Sequence, residues 1–276
     1  MKIGFIDYYL DEYHANHYPQ WLKNVPDHDF ELYAWAEIDS PKGGLTTERW
    51  CSEYGVSRVD SIRELCSICD YIMILSPDNP EKHLGYAKEV FPFSKPVFMD
   101  KTFAPDYGTA LEIIELAKKY NTPLFSSSSL RFCEEFDGIE RADSVQTYGG
   151  GHNFEIESIH PIEICARLMG TGADSLTLFG DSSRFTAHVL YRDGRTAEIF
   201  FCENCKKLGY GAVIDSGGIR RAVSVGSDFF QLMTNAMVKF FDTGVSPLSY
   251  DDILEGIKIR DGIIKALGQS SKAFKL

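Results

Sequence analysis

Basic residues are scarce in this chain of 276 amino acids, where 28 lysines and arginines face 40 aspartates and glutamates for a formal charge of −12. So acidic a surface repels nucleic acid and anionic lipid, and no run of bases interrupts it, which leaves small molecules and proteins as partners. Long apolar runs are also absent. No stretch approaches the ~20 residues of a membrane span, and Met1-Lys2-Ile3-Gly4-Phe5-Ile6-Asp7 is too short and too soon acidic for a signal peptide. The expectation is a cytoplasmic protein without a membrane or nucleic-acid partner. Internal repeats, low-complexity segments and long flexible linkers are missing as well.

Cysteine is present, but not in the pattern of a disulfide framework. Seven cysteines, an odd number, imply reduced thiols. Cys66-x-x-Cys69 and Cys202-x-x-Cys205 have metal-ligand spacing, yet 132 residues lie between the pairs and no histidine closely accompanies either. They read as buried or strand-end thiols behaving as small hydrophobes, and no metal is expected.

What the chain does have is 44% hydrophobic residues in an ordered pattern. Over the first half, strand signals at Ile3 to Ile6, Glu31 to Ala36, Tyr71 to Leu75, Val97 to Met99 and Pro123 to Phe125 alternate with helical stretches. Such alternation predicts a Rossmann-like parallel sheet, an α/β domain over residues 1–128. Beyond Arg131 the texture changes. Thr186 to Tyr191, Arg192-Asp193-Gly194-Arg195 and Thr196 to Phe201 read as a hairpin with an Asp-Gly turn. Further strands at Ser175 to Phe179, Gly211 to Asp215 and Arg220 to Val225 predict an α+β domain over 129–276 with a mostly antiparallel sheet. Helices are expected at Ile159 to Met169, Phe229 to Phe241 and Asp251 to Leu267.

The segment Lys95-Pro96-Val97-Phe98-Met99-Asp100-Lys101-Thr102 places a lysine just past a buried strand. Open α/β sheets bind ligands at that end, so Lys101 is the first candidate for chemistry.

Order and spacing together resemble the glucose-fructose oxidoreductase and inositol dehydrogenase (Gfo/Idh/MocA) family. The resemblance runs from Val59-Asp60-Ser61-Ile62 through Asp70 to Pro77, His83 and Lys95 to Thr102, and on to Ser129-Leu130-Arg131-Phe132. Ile159-His160-Pro161-Ile162-Glu163 resembles the histidine helix of the second domain. Phe241-Asp242-Thr243-Gly244 with Tyr250-Asp251-Asp252 resembles the closing pattern. The resemblance implies hydride exchange between NAD or NADP and a secondary alcohol of a sugar or polyol. It assigns Lys101 to the substrate hydroxyl and His160 to the proton. It also implies a homo-oligomer formed through the second-domain sheet. Where the family has an aspartate four residues before the histidine, this chain has Ile156, and Glu157 is the candidate replacement. Arg131 and His152 are candidate substrate contacts. Arg131 also reads as a brace, and His152 follows Gly149-Gly150-Gly151 as on a mobile loop.

Glycine is missing where this resemblance needs it most. A dinucleotide loop uses glycines to bring backbone amides to the pyrophosphate at a helix amino terminus. Here Gly4 lies inside the first strand and is followed by Phe5-Ile6-Asp7-Tyr8-Tyr9-Leu10-Asp11-Glu12-Tyr13-His14. One uncompensated carboxylate at ~4 Å from a phosphate costs about 4 kcal/mol at an effective dielectric near 20, roughly a thousandfold in affinity. Either the acids cap the following helix, or His14 and His17 turn toward the phosphates. The cofactor contacts expected on this scaffold are Asp7, Tyr8, Tyr9, Glu37, Ser76, Pro77, His83 and Lys101, with Asp39 an alternative to Glu37 for a ribose hydroxyl and capping an alternative role for His83. Two functions follow: a dehydrogenase, or a non-catalytic or regulatory binding protein that has lost the dinucleotide.

Overall fold

Six parallel strands form the first sheet of the computed structural model, which describes residues 1–205, 207–268 and 273–276. In chain order they come with their helices: β1 (Lys2–Asp7), α1 (Tyr13–Lys23), β2 (Glu31–Ala36), α2 (Thr47–Tyr54), β3 (Ser57–Arg58), α3 (Ile62–Ile68), β4 (Tyr71–Ile74), α4 (His83–Val90), β5 (Val97–Met99), α5 (Tyr107–Tyr120) and β6 (Leu124–Phe125). The strand order β3-β2-β1-β4-β5-β6 reverses direction between β1 and β4. That reversal creates the switch point at which such sheets bind ligands. The central strands are buried on both faces, with Ile3, Phe5 and Ile6 of β1, Met73 and Ile74 of β4 and Phe98 and Met99 of β5 without accessible surface. Helix α5 shows how the pattern becomes structure. Ala110, Ile113, Ile114 and Ala117 fall on one buried face, Asp106 caps the start through the Thr109 amide at 2.9 Å, and Asn121 at φ 51° ends it.

The remaining elements are β7 (Ser144–Gly151), α6 (Phe154–Glu157), α7 (Ile159–Met169), β8 (Ala173–Asp181), β9 (Arg184–Tyr191), β10 (Thr196–Glu203), β11 (Gly211–Ser216), β12 (Ile219–Ser224), α8 (Phe229–Thr243), α9 (Tyr250–Leu267) and β13 (Ala273–Lys275). The second sheet has the order β12-β11-β7-β10-β9-β8-β13. Its pairings are antiparallel except for β7 with β10. The hairpin joining β9 to β10 turns at Asp193-Gly194, where Gly194 takes φ 87°.

The chain forms two compact units, Met1–Ser127 with Phe230–Leu248, and Ser128–Phe229 with Ser249–Leu276. The second stretch of sequence is therefore not one block. Helix α8 returns to the first unit, where Trp21 stacks on Phe230 at 4.5 Å, Tyr71 stacks on Phe241 at 4.9 Å, and Phe240 meets Phe125 edge-on at 5.8 Å. Among the described residues no helix is long and apolar enough to cross a membrane.

Candidate functional site

In the first unit the ends of β1, β4 and β5 deliver Asp7, Ser76, Asp100 and Lys101 to the switch point. Asp7 is 1% exposed and closes β1. Its Oδ1 accepts the Tyr8 amide at 2.7 Å and the Ser76 hydroxyl at 2.9 Å, and Ser76 Oγ in turn accepts the Tyr8 amide at 2.8 Å. Its Oδ2 is buried without a hydrogen-bond partner. Burial, reinforced by the nearby Glu12 charge, holds this carboxyl well above the usual carboxylate range.

Glu12 is the N-cap of α1. Its Oε2 accepts the His14 amide at 2.7 Å, Oε1 accepts the Ala15 amide, and its carbonyl accepts the Asn16 amide at 3.0 Å. Of the three acids one, Glu12, caps the helix, while Asp11 accepts the Leu45 amide at 2.9 Å and the Asn16 side-chain amide at 3.0 Å. Glu12 is half-buried, and burial pushes its carboxyl up to about 7 against the opposing pull of His14.

His14 does not turn toward a phosphate seat. Its Nδ1 is hydrogen-bonded to Asp100 Oδ2, and Asp100 Oδ1 accepts the Lys101 amide at 2.8 Å. Burial disfavours the imidazolium, but the Asp100 carboxylate more than offsets it, so the His14 pKa goes up. Lys101 is 7% exposed, and the Lys101–Thr102 bond is cis. Sequence reasoning placed Lys101 correctly at the strand end but missed the His14–Asp100 pair beneath it. The only signal was His14 standing two residues after a carboxylate at a helix start.

A dinucleotide makes three demands here, and the residues answer them unequally. A polar cavity of about 350 Å³ lies beyond the ends of β2 and β3, lined among others by Glu37, Asp39, Thr47 and Arg58. It suits an adenosine end. Glu37 does line it, but its carboxylate is held by Lys82 at 2.6 Å and the Tyr86 hydroxyl at 2.7 Å, and the Lys82 hydrogen bond lowers its pKa. The Lys82 ammonium also covers the Tyr8 ring at 4.3 Å. Asp39 accepts the Thr47 amide at 2.7 Å. At the second place, the pyrophosphate does not fit the β1–α1 turn as folded. The amides of His14 and Ala15 are already bound to a carboxylate, that of Tyr8 is bound to Asp7 and Ser76, and side chains stand where glycine would leave space. At the third, Lys101 and Ser76 lie at the ends of β5 and β4. Pro77 is buried after Ser76. His83 neither caps α4 nor faces a ligand: its ring nitrogens meet the carbonyl oxygens of Phe103 at 3.0 Å and Leu75 at 2.6 Å, in full burial.

In the second unit, His160 lies in the first turn of α7. Its Nδ1 is 2.8 Å from Ser128 Oγ, and its ring meets Tyr210 edge-on at 5.4 Å. Glu157 does not orient it. The Glu157 carboxylate instead accepts the His152 and Asn153 amides, the latter at 2.8 Å, because α6 ends at Glu157 and Ser158 separates it from α7. Ser128 is the partner that sequence reasoning missed.

His152 is exposed, but the three glycines before it are not a mobile loop. They are the last residues of β7, and a Cβ on them would strike Tyr210, the Cys205 carbonyl and Glu157 respectively. Arg131 is a brace. Its Nε binds the buried Glu163 carboxylate at 2.7 Å, and its Nη2 the Asp252 carbonyl at 3.0 Å. The expectation of reduced thiols throughout is also corrected. Cys202 and Cys205 form a disulfide, while the other five cysteines are buried thiols, with Cys66, Cys69, Cys133 and Cys165 each pushed up to about 12 by burial.

No protein-family model matches the chain, and no curated protein does. Solved structures do. A probable dehydrogenase from Thermotoga maritima has a TM-score of 0.82 at 16% identity, covering 100% of this chain and 98% of that one. Myo-inositol 2-dehydrogenase from Lactobacillus plantarum gives 0.78 at 14%, covering 100% and 99%. GenD2 from gentamicin A biosynthesis, in complex with NAD, gives 0.77 at 10%, covering 100% and 96%. At these identities the likeness is one of fold, and it spans both units: the chain has the two-domain architecture of Gfo/Idh/MocA-type dehydrogenases.

Proposed function

We propose that this chain is a cytoplasmic NAD- or NADP-dependent oxidoreductase acting on a secondary alcohol of a sugar, polyol or related small molecule. The observation that carries the reading is Lys101, a buried lysine at the carboxyl end of β5 in a fold shared end to end with dehydrogenases. The dinucleotide, when bound, supplies the hydride acceptor. Lys101 donates a hydrogen bond to the substrate oxygen and favours its alkoxide character. Asp100 and His14 hold the backbone and charge around that lysine, and His160 receives the hydroxyl proton. A homo-oligomer through the outer face of the second-unit sheet completes the proposal. Phe179 and Leu190, which share that face by the β8–β9 register, are 61% and 41% exposed.

Glu12 favours a second reading. With its carboxylate on the α1 amides, the scaffold serves as a binding protein that has lost the dinucleotide.

A fluorescence titration with NADH and NADPH separates the two. Saturable binding of either supports the oxidoreductase. No binding at millimolar concentration leaves the binding protein. With the polyol as substrate, Lys101→Ala is expected to lower kcat about 10²- to 10⁴-fold while changing dinucleotide affinity far less. Unaltered turnover would remove Lys101 from the chemistry.

A further inference from the structure

We infer that Glu12 is the residue that sets dinucleotide affinity: its carboxylate occupies the amides a pyrophosphate requires, and the cofactor binds only when Glu12 leaves the cap. The inference rests on the proposed NAD(P)-dependent activity and adds the residue that limits it.

Three observations converge. First, the amides at the start of α1 and on either side of the turn are engaged from within: Tyr8 by Asp7 and Ser76, Glu12 by the Leu10 carbonyl at 2.8 Å, His14 and Ala15 by the Glu12 carboxylate, and Asn16 by the Glu12 carbonyl. A phosphate that takes the His14 and Ala15 amides at the start of α1 must displace the Glu12 carboxylate from them. Second, the occupant carries the wrong charge in the wrong company. Asp7, with a buried and unpartnered Oδ2, and Asp100 both act on Glu12, so two phosphates would enter a field already negative. Third, the occupant is displaceable. Glu12 is a half-buried side chain held mainly by two amide bonds, and an N-cap of that kind favours its seat by a factor of about 2 to 30.

Proton uptake accompanies the displacement. Burial pushes Glu12 up to about 7, so it is charged above that pH and neutral below it. Neutral Glu12 is a weaker acceptor for the amides and does not repel phosphate. The groups that face it are His14 from α1, Asp7 from β1 and Asp100 from the end of β5, with the Tyr9 and Tyr18 hydroxyls within electrostatic reach. Wild-type affinity for NADH is therefore expected to rise as pH falls from 8.5 to 6.

The test is calorimetric or fluorescence titration of NADH and NADPH into the full chain, wild type against Glu12→Ser and Glu12→Gln. Serine keeps a good N-cap without charge or reach, and glutamine keeps length without charge. At pH 8, Glu12→Ser is expected to bind at least about tenfold more tightly than wild type, with a flatter pH profile, and Glu12→Gln to lie between. Circular dichroism establishes that α1 survives, and Glu12→Gln decides if Glu12→Ser does not fold. Equal or weaker binding by the variants overturns the role of Glu12 and leaves the oxidoreductase standing. Failure of all three proteins to bind either dinucleotide at any pH removes both.

Discussion

His14 and His160 are held in opposite ways. His14 is buried against a carboxylate, with Asp7, Glu12 and Lys101 as neighbours whose charges depend on one another. His160 is half-buried and rests on a neutral hydroxyl, in a unit whose buried charges are the paired Arg131 and Glu163 together with Glu255, Arg260 and Asp261. The first arrangement is electrostatically expensive and sensitive to pH, because its buried carboxylates, although they accept backbone amides, also lie within reach of one another's charge. The second sets its histidine on a neutral hydroxyl and holds the Arg131 guanidinium on a carboxylate. Buried charge in the first unit thus gathers around one histidine, while that of the second includes an arginine brace.

The largest expected effect breaks the structural side of that contrast. Arg131→Met takes the guanidinium away from the buried Glu163 carboxylate and is expected to lower unfolding free energy by about 3–5 kcal/mol. Adding Glu163→Gln to it should restore most of the loss, and denaturant midpoints of the two variants measure the difference. Were the single change to cost less than about 1 kcal/mol while abolishing activity, Arg131 would be a substrate contact rather than a brace.

A middle-sized effect, of opposite sign, lies in the first unit. The Asp7 pKa is raised on folding, so the folded state holds its proton more tightly than the unfolded chain, and stability falls as pH rises from the unfolded carboxylate pKa toward the folded one. Above that window the buried charge is a standing cost. Asp7→Asn keeps the Oδ1 acceptor for Tyr8 and Ser76 and removes the charge. It is expected to be more stable than wild type by about 1–3 kcal/mol at pH 8, a gap that narrows as pH falls. Thermal melts from pH 5 to 8.5 would show it. A variant less stable at pH 8 would mean that the Asp7 charge is satisfied in the folded chain.

The sequence announces the scaffold more openly than the site. Strands such as Val97 to Met99 and helices such as Tyr107 to Tyr120 carry their own periodicity, so local pattern suffices to place them. β7 escaped because its last three residues are glycines, poor strand formers, accepted there because Tyr210, the Cys205 carbonyl and Glu157 press against them. The cap of α1 is one of two roles the sequence leaves open for the acids before it, because glutamate is not among the favoured N-cap residues. His14 and Asp100 lie 86 residues apart. Their meeting is a consequence of strand order, which no local pattern encodes. The disulfide follows from the β10 end bringing Cys205 back toward Cys202, whereas an odd cysteine count spoke for reduced thiols.

The smallest expected effect on stability bears most directly on the His160 role. Ser128 Oγ accepts the Leu130 amide at 3.3 Å and lies 2.8 Å from His160 Nδ1. A proton-accepting His160 requires the tautomer with hydrogen on Nδ1, donated to Ser128, so that the lone pair sits on Nε2. The reverse tautomer makes the outer nitrogen a donor and excludes it as a base. Ser128→Ala removes the His160 contact and the long bond from Leu130, and is expected to cost only about 0.5–1.5 kcal/mol of stability. If Ser128 fixes the working tautomer, the variant lowers kcat about tenfold or more with KM little changed, and shifts the acidic limb of the pH profile, because a ring without its partner spends less time with the lone pair correctly placed. Nitrogen chemical shifts of His160 report the tautomer directly. Hydrogen on Nε2 in the wild type, with an unaltered pH profile in Ser128→Ala, would move the base away from His160 and make Ser128 a contact of the fold alone.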